Sequence, residues 1–356
     1  QVTGSAEQWT VTAPASRFDI AIEEDLIEEV ARVHGYDALP AAMPSGALSL
    51  PRLSEAEVPT GQMRETLVGA GYQEAICYAF VERKLLELLA LDTQALPLAN
   101  PISSDMDVMR TALFPGLLKA LERNLRFQQE RVRLFEVGTV FHQGEVLEEI
   151  ERIAGVVCGT ALPEQWGAKA RGLDFYDIKG HVEQLLATRG CSRDLRFVPC
   201  ELPFLHPGQA ATVYLADRAI GWVGAIHPQA QQALGIKPRT FAFELDMAEL
   251  EKREVPSANK ISSFPSVRRD LALLVPEATS YATVENQIRA DGGELLRQLT
   301  VFDQFSGQAV EKGYKSLAIG LILQDVSCTL TDEVVDSVID RVVKGLESQL
   351  DVQLRG

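Results

Sequence analysis

Residues 329–354 read TLTDEVVDSVIDRVVKGLESQLDVQL, and the spacing of their apolar residues decides the architecture of the C-terminal part of the chain. Val334, Val335, Val338, Ile339, Val342, Val343, Leu346 and Leu350 recur every three or four residues, which is one face of an α-helix. Thr331 stands at the N-cap position. Asp332 and Glu333 follow in the first turn, where negative charge suits the helix dipole. Val352–Leu354 then reads as a short strand. Upstream, Leu295–Phe305 and Leu317–Leu323 are strand candidates joined by a turn containing Gly307 and Gly313. Tyr281–Arg289 predicts a helix ending before Gly292-Gly293, and Arg269–Val275 a strand. The order βαββαβ is the ferredoxin-like split βαβ arrangement.

Before Lys260 the pattern is mixed. Helical periods occur at Gln62–Ala70, Pro115–Phe127 and Asp177–Thr188. Strand patterns occur at Arg133–Phe141, Ile153–Cys158, Ala211–Leu215, Ile220–Ile226 and Thr240–Asp246, with a hairpin around Ala216-Asp217-Arg218. The expectation is a mixed, mostly antiparallel sheet with helices packed on it. The first forty residues show apolar alternation at Phe18, Ile20 and Ile22, a strand signature. A helical stripe of Leu26, Ile27, Val30, Ala31 and Val33 follows, closed by Gly35. The proline-rich stretch 40–59 reads as a linker or extended arm.

Composition narrows the class. The chain has 356 residues, 46% of them hydrophobic and 24% charged, enough for two or three domains. No run of 18 apolar residues occurs, so no membrane span is expected. The first residues carry no signal-peptide pattern, and there is no initiator Met, so a fragment or processed form is expected. Cys77, Cys158, Cys191, Cys200 and Cys328 are dispersed, which fits buried free thiols in a cytoplasmic protein. The net charge of −16 argues against a protein that grips a phosphate backbone over its whole surface. His206 and His227 each precede a Pro near a strand end, with no nucleophile at a recognisable elbow, and read as turn residues.

The sharpest local pattern is SRFDIAIEEDLIEEVARVHGYD, residues 16–37. Asp25, Glu28 and Glu29 stand at i, i+3 and i+4 and so share a helical face, and Asp19 precedes them. Clustered carboxylates repel unless a cation neutralises them, and Mg²⁺ with oxygen ligands is one such cation. A solvated acidic face gives the same spacing and is the commoner outcome on spacing alone.

This run strongly resembles the B5 domain of the phenylalanyl-tRNA synthetase β subunits. The resemblance implies that Asp19, Asp25, Glu28 and Glu29 are Mg²⁺ ligands in a site shared with the α subunit. NPISSDMDVMRTALFPGLLKALERNLR (100–126) and VRLFEVGTVF (132–141) are similar to the class II synthetase-like module of the same subunits. In it, RLFEVG around Arg133 and Glu136 looks like a relic of an ATP-phosphate strand. The late Gly-rich, Arg-bearing motif that binds the adenine end is replaced by EKREVPSANK (251–260), so the module is expected to be catalytically inactive. FPSVRRDLALLV (264–275), FDQFSG (302–307), EKGYKSLAIGLILQD (311–325) and TLTDEVVD (329–336) resemble the anticodon-binding ferredoxin-like domain that ends these subunits.

The resemblance covers nearly the whole chain and implies an α+β multidomain protein: a class II synthetase-like antiparallel sheet module and a C-terminal ferredoxin-like domain. The divisions expected are a partial B5 domain with the Mg²⁺ site (1–40), a linker (41–58), the inactive module (59–258) and the anticodon-binding domain (260–356). The function implied is that of a non-catalytic β subunit supporting ATP-dependent attachment of phenylalanine to tRNA(Phe) by the α subunit, in an α2β2 assembly. ATP would be used by the complex and not bound by this chain. Editing belongs to an N-terminal half absent here. Phe264, Arg268, Arg269, Tyr314 and Lys315 are the aromatic and basic groups expected to meet RNA. The same block has 10 Lys/Arg against 14 Asp/Glu, so that contact would have to be local. Two other classes stand beside this reading. One is a free-standing RNA-binding regulator reusing the domains. The other is a metal-dependent hydrolase built on the carboxylates, which lacks a visible general base.

Overall fold

The structure is a computed structural model that describes residues 1–43, 45–46, 54–190, 195–258, 260–306 and 310–355. Of the sequence features above, Cys191, Gly307 and much of the 41–58 stretch lie outside the described residues. The chain divides into two compact units, Gln1–Glu57 and Val58–Gly356.

In the first unit β1 (Val2–Gly4) and β2 (Trp9–Val11) pair antiparallel, and α1 (Glu23–His34) follows. The start of α1 has a local cause. Asp25 Oδ2 accepts the Ala21 and Ile22 N–H groups at 2.7 and 2.9 Å, half of a capping box. Gly35 ends the helix as expected, at φ 97°, its N–H bonded to the Ala31 carbonyl. The strand expected from Phe18 to Ile22 does not form. The Ile20 amide turns back to Arg17, the next two amides serve Asp25, and Phe18 is exposed. Donors committed to a turn and a cap are lost to a strand ladder. The apolar stripe of α1 has the expected phase, yet none of its residues is buried within the described structure.

The second unit begins with α2 (Thr60–Gly69), β3 (Gln73–Glu74), β4 (Phe80–Val81), α3 (Arg83–Leu88), β5 (Val108–Met109) and α4 (Phe114–Arg126). The long hairpin β6 (Val132–Gln143) and β7 (Leu147–Cys158) comes next, then α5 (Phe175–Ala187) and β8 (Leu195–Pro199). It continues with β9 (Leu205–Leu215), β10 (Arg218–Ile226), α6 (Pro228–Ala233), β11 (Thr240–Asp246) and α7 (Met247–Leu250). Seven strands form one sheet in the order β3-β6-β7-β11-β10-β9-β8, antiparallel except for the β3–β6 pair. Ala216, at φ 50°, makes the tight turn between β9 and β10.

Strand alternation fills both faces of this sheet. Phe135, Ile153, Val157, Phe241, Phe243 and Leu245 face Met63 and Leu67 of α2 and Ile178, Val182 and Leu185 of α5. Leu134, Ala154, Val156 and Ala242 face Phe114, Leu117, Leu118 and Leu121 of α4. Each fully buried side chain of this size contributes about 1.5–3 kcal/mol. Gly155 lets the inner face close, since a Cβ there would lie 2.4 Å from the Phe243 ring.

Helix α4 is held at its start by a residue 130 positions away. Glu244 Oε2, on β11, accepts the Leu113 and Phe114 N–H groups at 2.9 and 3.1 Å, and Oε1 accepts from Arg152 Nη1 at 3.0 Å. Burial pushes the Glu244 carboxyl up, against the opposing pull of Arg152 and the two amides. Phe114 then packs at about 5 Å between Phe204 and Trp222.

The last six elements are β12 (Val267–Pro276), α8 (Tyr281–Gly292), β13 (Leu296–Phe305), β14 (Tyr314–Leu323), α9 (Asp332–Leu350) and β15 (Gln353–Leu354). Their sheet runs β13-β14-β12-β15, all antiparallel, and the expected βαββαβ order is observed. Leu271, Leu273, Val275, Ile319 and Leu321 pack beneath α8 and α9. The two helices cross closely at Gly345, where a Cβ would run into the Asp291 carboxylate. Two details differ from expectation. Thr331 occupies the N-cap of α9 without a side-chain capping bond, and Val334 stays exposed at the edge of the stripe. Among the four described cysteines only Cys158 is fully buried, and Cys328 is exposed.

Replacing Glu244 by Ala should lower the unfolding free energy by about 3 kcal/mol, because it orphans two buried amides and unbalances Arg152. Denaturant unfolding of the full chain, followed by Trp222 fluorescence, measures this. A loss below about 1 kcal/mol would mean that the cap is dispensable.

Candidate functional site

The acidic pattern near the N-terminus is drawn together by arginines. Arg17 Nη2 lies 2.8 Å from Asp19 Oδ2 and 2.6 Å from Glu29 Oε1, and Arg17 Nε reaches Asp19 Oδ1 at 3.1 Å. Arg32 Nη2 holds the other Glu29 oxygen at 2.7 Å. These contacts pull the Glu29 carboxyl down to about 2, Arg17 contributing most, and lower Asp19 as well. Asp25 is also lowered, by the Ala21 and Ile22 amides. Glu28 is exposed and, among the described residues, makes no ion pair or hydrogen bond. Of the four expected Mg²⁺ ligands, Asp19 and Glu29 therefore meet on Arg17, while Asp25 caps the start of α1 and Glu28 faces solvent. Among the described residues no group of three or more His, Cys, Asp or Glu side chains could hold one ion. As placed, this donor set does not fit a divalent metal.

In the seven-stranded sheet, Arg133 and Glu136 lie on opposite faces, because an odd separation along a strand reverses side-chain direction. Arg133 is 7% exposed and donates to the Ala70 and Ala161 carbonyls at 2.7 and 2.6 Å. It ties the end of α2 to the segment after β7. Its Nη1 also lies 3.3 Å from His181 Nε2, and the Tyr72 hydroxyl is 2.9 Å from His181 Nδ1. On the other face Glu136 Oε1 accepts from Arg110 Nη1 at 2.7 Å and from the Cys77 N–H at 3.2 Å. Gly138 leaves room for Arg110, whose Nη2 would lie 2.5 Å from a Cβ there. The expected phosphate-strand pair is thus split between two internal networks. His206, at the start of β9, and His227, the N-cap of α6, each accept a backbone N–H two residues on.

The C-terminal sheet has one face beneath α8 and α9, and among the described residues the other carries no helix. Register places Arg268, Asp270, Ala272, Leu274 and Pro276 on the open face, beside Ile322, Gly320, Ala318, Ser316 and Tyr314. The centre is shallow because its residues are small. Arg268 crosses Gly320, where a Cβ would lie 3.1 Å from Nη2, and its guanidinium sits 5.4 Å from the centre of the Phe302 ring. Phe302 and Phe305 are about half exposed.

Of the five residues expected to meet RNA, Arg268 and Tyr314 lie on this face by register, and the other three do not. Arg269, one position out of phase with Arg268, reaches Asp332 of α9 at 3.0 Å. Lys315 binds the Glu277 and Thr279 carbonyls at 3.1 and 2.6 Å, closing the loop after β12. Tyr314 donates to Asp351 at 3.1 Å. Phe264 is half-buried at the entrance to the domain, bonded through its backbone to Ser262 and Gln324. Phe302 and Phe305 complete the open face in their place. Their signal is the FDQF run, but a bulge between Val301 and Asp303 breaks the alternation that would reveal which way they point.

A largely antiparallel sheet packed on both faces, followed by a βαββαβ domain, defines a multidomain α+β protein. Comparison with known families makes the assignment specific. Residues 39–247, more than half of the chain, match the phenylalanyl tRNA synthetase beta chain CLM domain. Residues 1–36 match the tRNA synthetase B5 domain, and residues 262–355 the ferredoxin-fold anticodon binding domain. The chain belongs to the phenylalanyl-tRNA synthetase β chain family. It is 48% identical over its whole length to the phenylalanine–tRNA ligase beta subunit of Xanthomonas campestris pv. campestris. The corresponding subunits of Xanthomonas oryzae pv. oryzae and Xylella fastidiosa are 46% and 45% identical. In each case the chain spans 45% of the relative's length. A solved pyrrolysyl tRNA synthetase from Desulfitobacterium hafniense aligns at TM-score 0.42 and 14% identity, over 54% of this chain and 66% of that one, too loosely to add to the argument. No helix among the described residues is long and apolar enough to cross a membrane.

The Arg133 network yields a pH dependence. Burial, then Arg133, depresses the His181 imidazole from 6.5 to about 4. A histidine depressed on folding contributes stability that is complete above its unfolded value and is lost as pH falls. Between pH ~6.5 and ~4 the wild-type chain should lose about 2 kcal/mol more unfolding free energy than His181→Gln. Parallel melts of the two proteins across that range check this, and equal slopes would refute it.

Proposed function

We propose that this chain is the C-terminal part of a non-catalytic β subunit that assists an α subunit in attaching phenylalanine to tRNA(Phe) at the expense of ATP. Its roles are assembly and tRNA recognition. Family membership supports the assignment, and the open face around Arg268 and Phe302 supports the recognition role. The guanidinium stacked on an exposed ring is held at 2.8 Å by Asp270 and offers an unpaired base a π-face with a partly neutralised positive charge, in a chain whose overall charge would repel RNA. The small residues Ala272, Ala318 and Gly320 leave the surface beside it low and unobstructed.

Catalysis is assigned to the α subunit. Phe114, Phe204 and Trp222 occupy one face of the seven-stranded sheet, and α2 and α5 cover the other. Arg133, the strand arginine that an ATP site would use, is consumed by two carbonyls. The purified chain alone should therefore show no phenylalanine-dependent pyrophosphate exchange, and measurable exchange without α would overturn that assignment.

The recognition role is tested in the reconstituted α2β2 enzyme carrying Arg268→Ala with Phe302→Ala. One lost stacking contact is worth about 1–3 kcal/mol. The Michaelis constant for tRNA should then rise about tenfold or more, since ~1.4 kcal/mol is a factor of ten. Pyrophosphate exchange should stay unchanged. An unchanged Michaelis constant for tRNA would remove the recognition role. A parallel fall in both activities would point to assembly instead.

A further inference from the structure

We propose that in this chain Asp19 and Glu29 are held together by a guanidinium strap from Arg17, and that the N-terminal unit holds its fold without a divalent cation. Mg²⁺ demands several oxygens aimed at one point at about 2.0–2.1 Å. Both Asp19 oxygens instead face Arg17, through Nε at 3.1 Å and Nη2 at 2.8 Å. Glu29 is divided between Arg17 at 2.6 Å and Arg32 at 2.7 Å. Asp25 Oδ2 is taken by two backbone amides. A metal bound by these residues would have to displace charge-assisted hydrogen bonds and break the helix cap.

The planar fork of arginine suits this geometry in a way that a point charge does not. Arg17 and Asp19 lie in the turns before α1, and Glu29 lies near the middle of the helix. The bridge therefore fastens the entering chain along α1, where the absence of a strand leaves the segment without a sheet partner. Charge also balances locally, two arginines against Asp19 and Glu29. Glu28, the fourth carboxylate, remains exposed and uninvolved.

The test uses the full 356-residue chain. Hydrogen exchange of the α1 amides should be the same within about twofold in EDTA and in millimolar MgCl₂ at matched ionic strength. Titration calorimetry with MgCl₂ should show no saturable heat. Arg17→Met should speed exchange in α1 about tenfold, and Arg17→Lys should fall between, because it keeps the charge and loses the fork. Saturable Mg²⁺ binding to the wild-type chain that Asp19→Asn or Glu29→Gln abolishes would overturn the proposal. So would faster α1 exchange in EDTA that Mg²⁺ reverses, or unchanged exchange in Arg17→Met. The wild-type measurements decide the metal question even if the Arg17 variants fail to fold.

Discussion

Glu244 illustrates the constraint on which the larger sheet depends: a carboxylate buried in a low-dielectric interior must be met on every oxygen, or the fold pays for it. Its partners are the first amides of α4 and Arg152, brought from two separate stretches of sequence. Once the helix start is pinned, its apolar face has one place to go, over Leu134, Ala154, Val156 and Ala242. Arg152 also lies 3.1 Å from Asp246, so a chain of charges runs along the same face of the sheet. The Arg110–Glu136 pair, admitted by the missing side chain of Gly138, adds a second buried contact on that face, but it meets only Glu136 Oε1, and Oε2 stays buried without a hydrogen-bond partner among the described residues. Such pairs contribute less to net stability than to specificity, because their desolvation offsets much of their attraction.

The two sheets of the second unit differ in what they leave uncovered. The seven-stranded sheet has helices on both sides, and its interior is occupied by aromatic rings and ion pairs. The four-stranded sheet has only two helices available, both reached by crossovers on one side, so its other face stays open. Small residues along β12 and β14 keep that face shallow, and Phe302 and Phe305 give it an aromatic margin. A surface of this kind suits a flat, π-faced ligand and requires no deep cavity.

Arginine shows why residue type alone underdetermines role. Arg17 straps carboxylates, Arg133 caps backbone carbonyls inside a core, Arg268 stacks on an exposed ring, and Arg269 pairs with a neighbouring helix. All four carry the same charge and the same fork of donors. Arg268 and Arg269 are adjacent, and the two-residue period of the strand alone sends one to the open face and the other towards α9.

The sequence by itself determined the elements whose signal is local. The period of α9, the Gly35 helix stop, the β9–β10 turn and the βαββαβ order were all legible, because each depends on neighbours within a few positions. The motifs around 16–37, 100–141 and 264–336 likewise carried the family. Tertiary structure alone decided which side chains meet. The turn at 17–22 displaced a strand because Asp25 and Arg17 claimed its polar groups, and the bulge at Phe302 redirected an aromatic that alternation had hidden. Asp19 and Glu29 proved to share one guanidinium, and Glu244 to start a helix 130 residues earlier. Hydrogen bonds and ion pairs act at about 3 Å, and no spacing along a chain specifies which distant groups arrive at that distance.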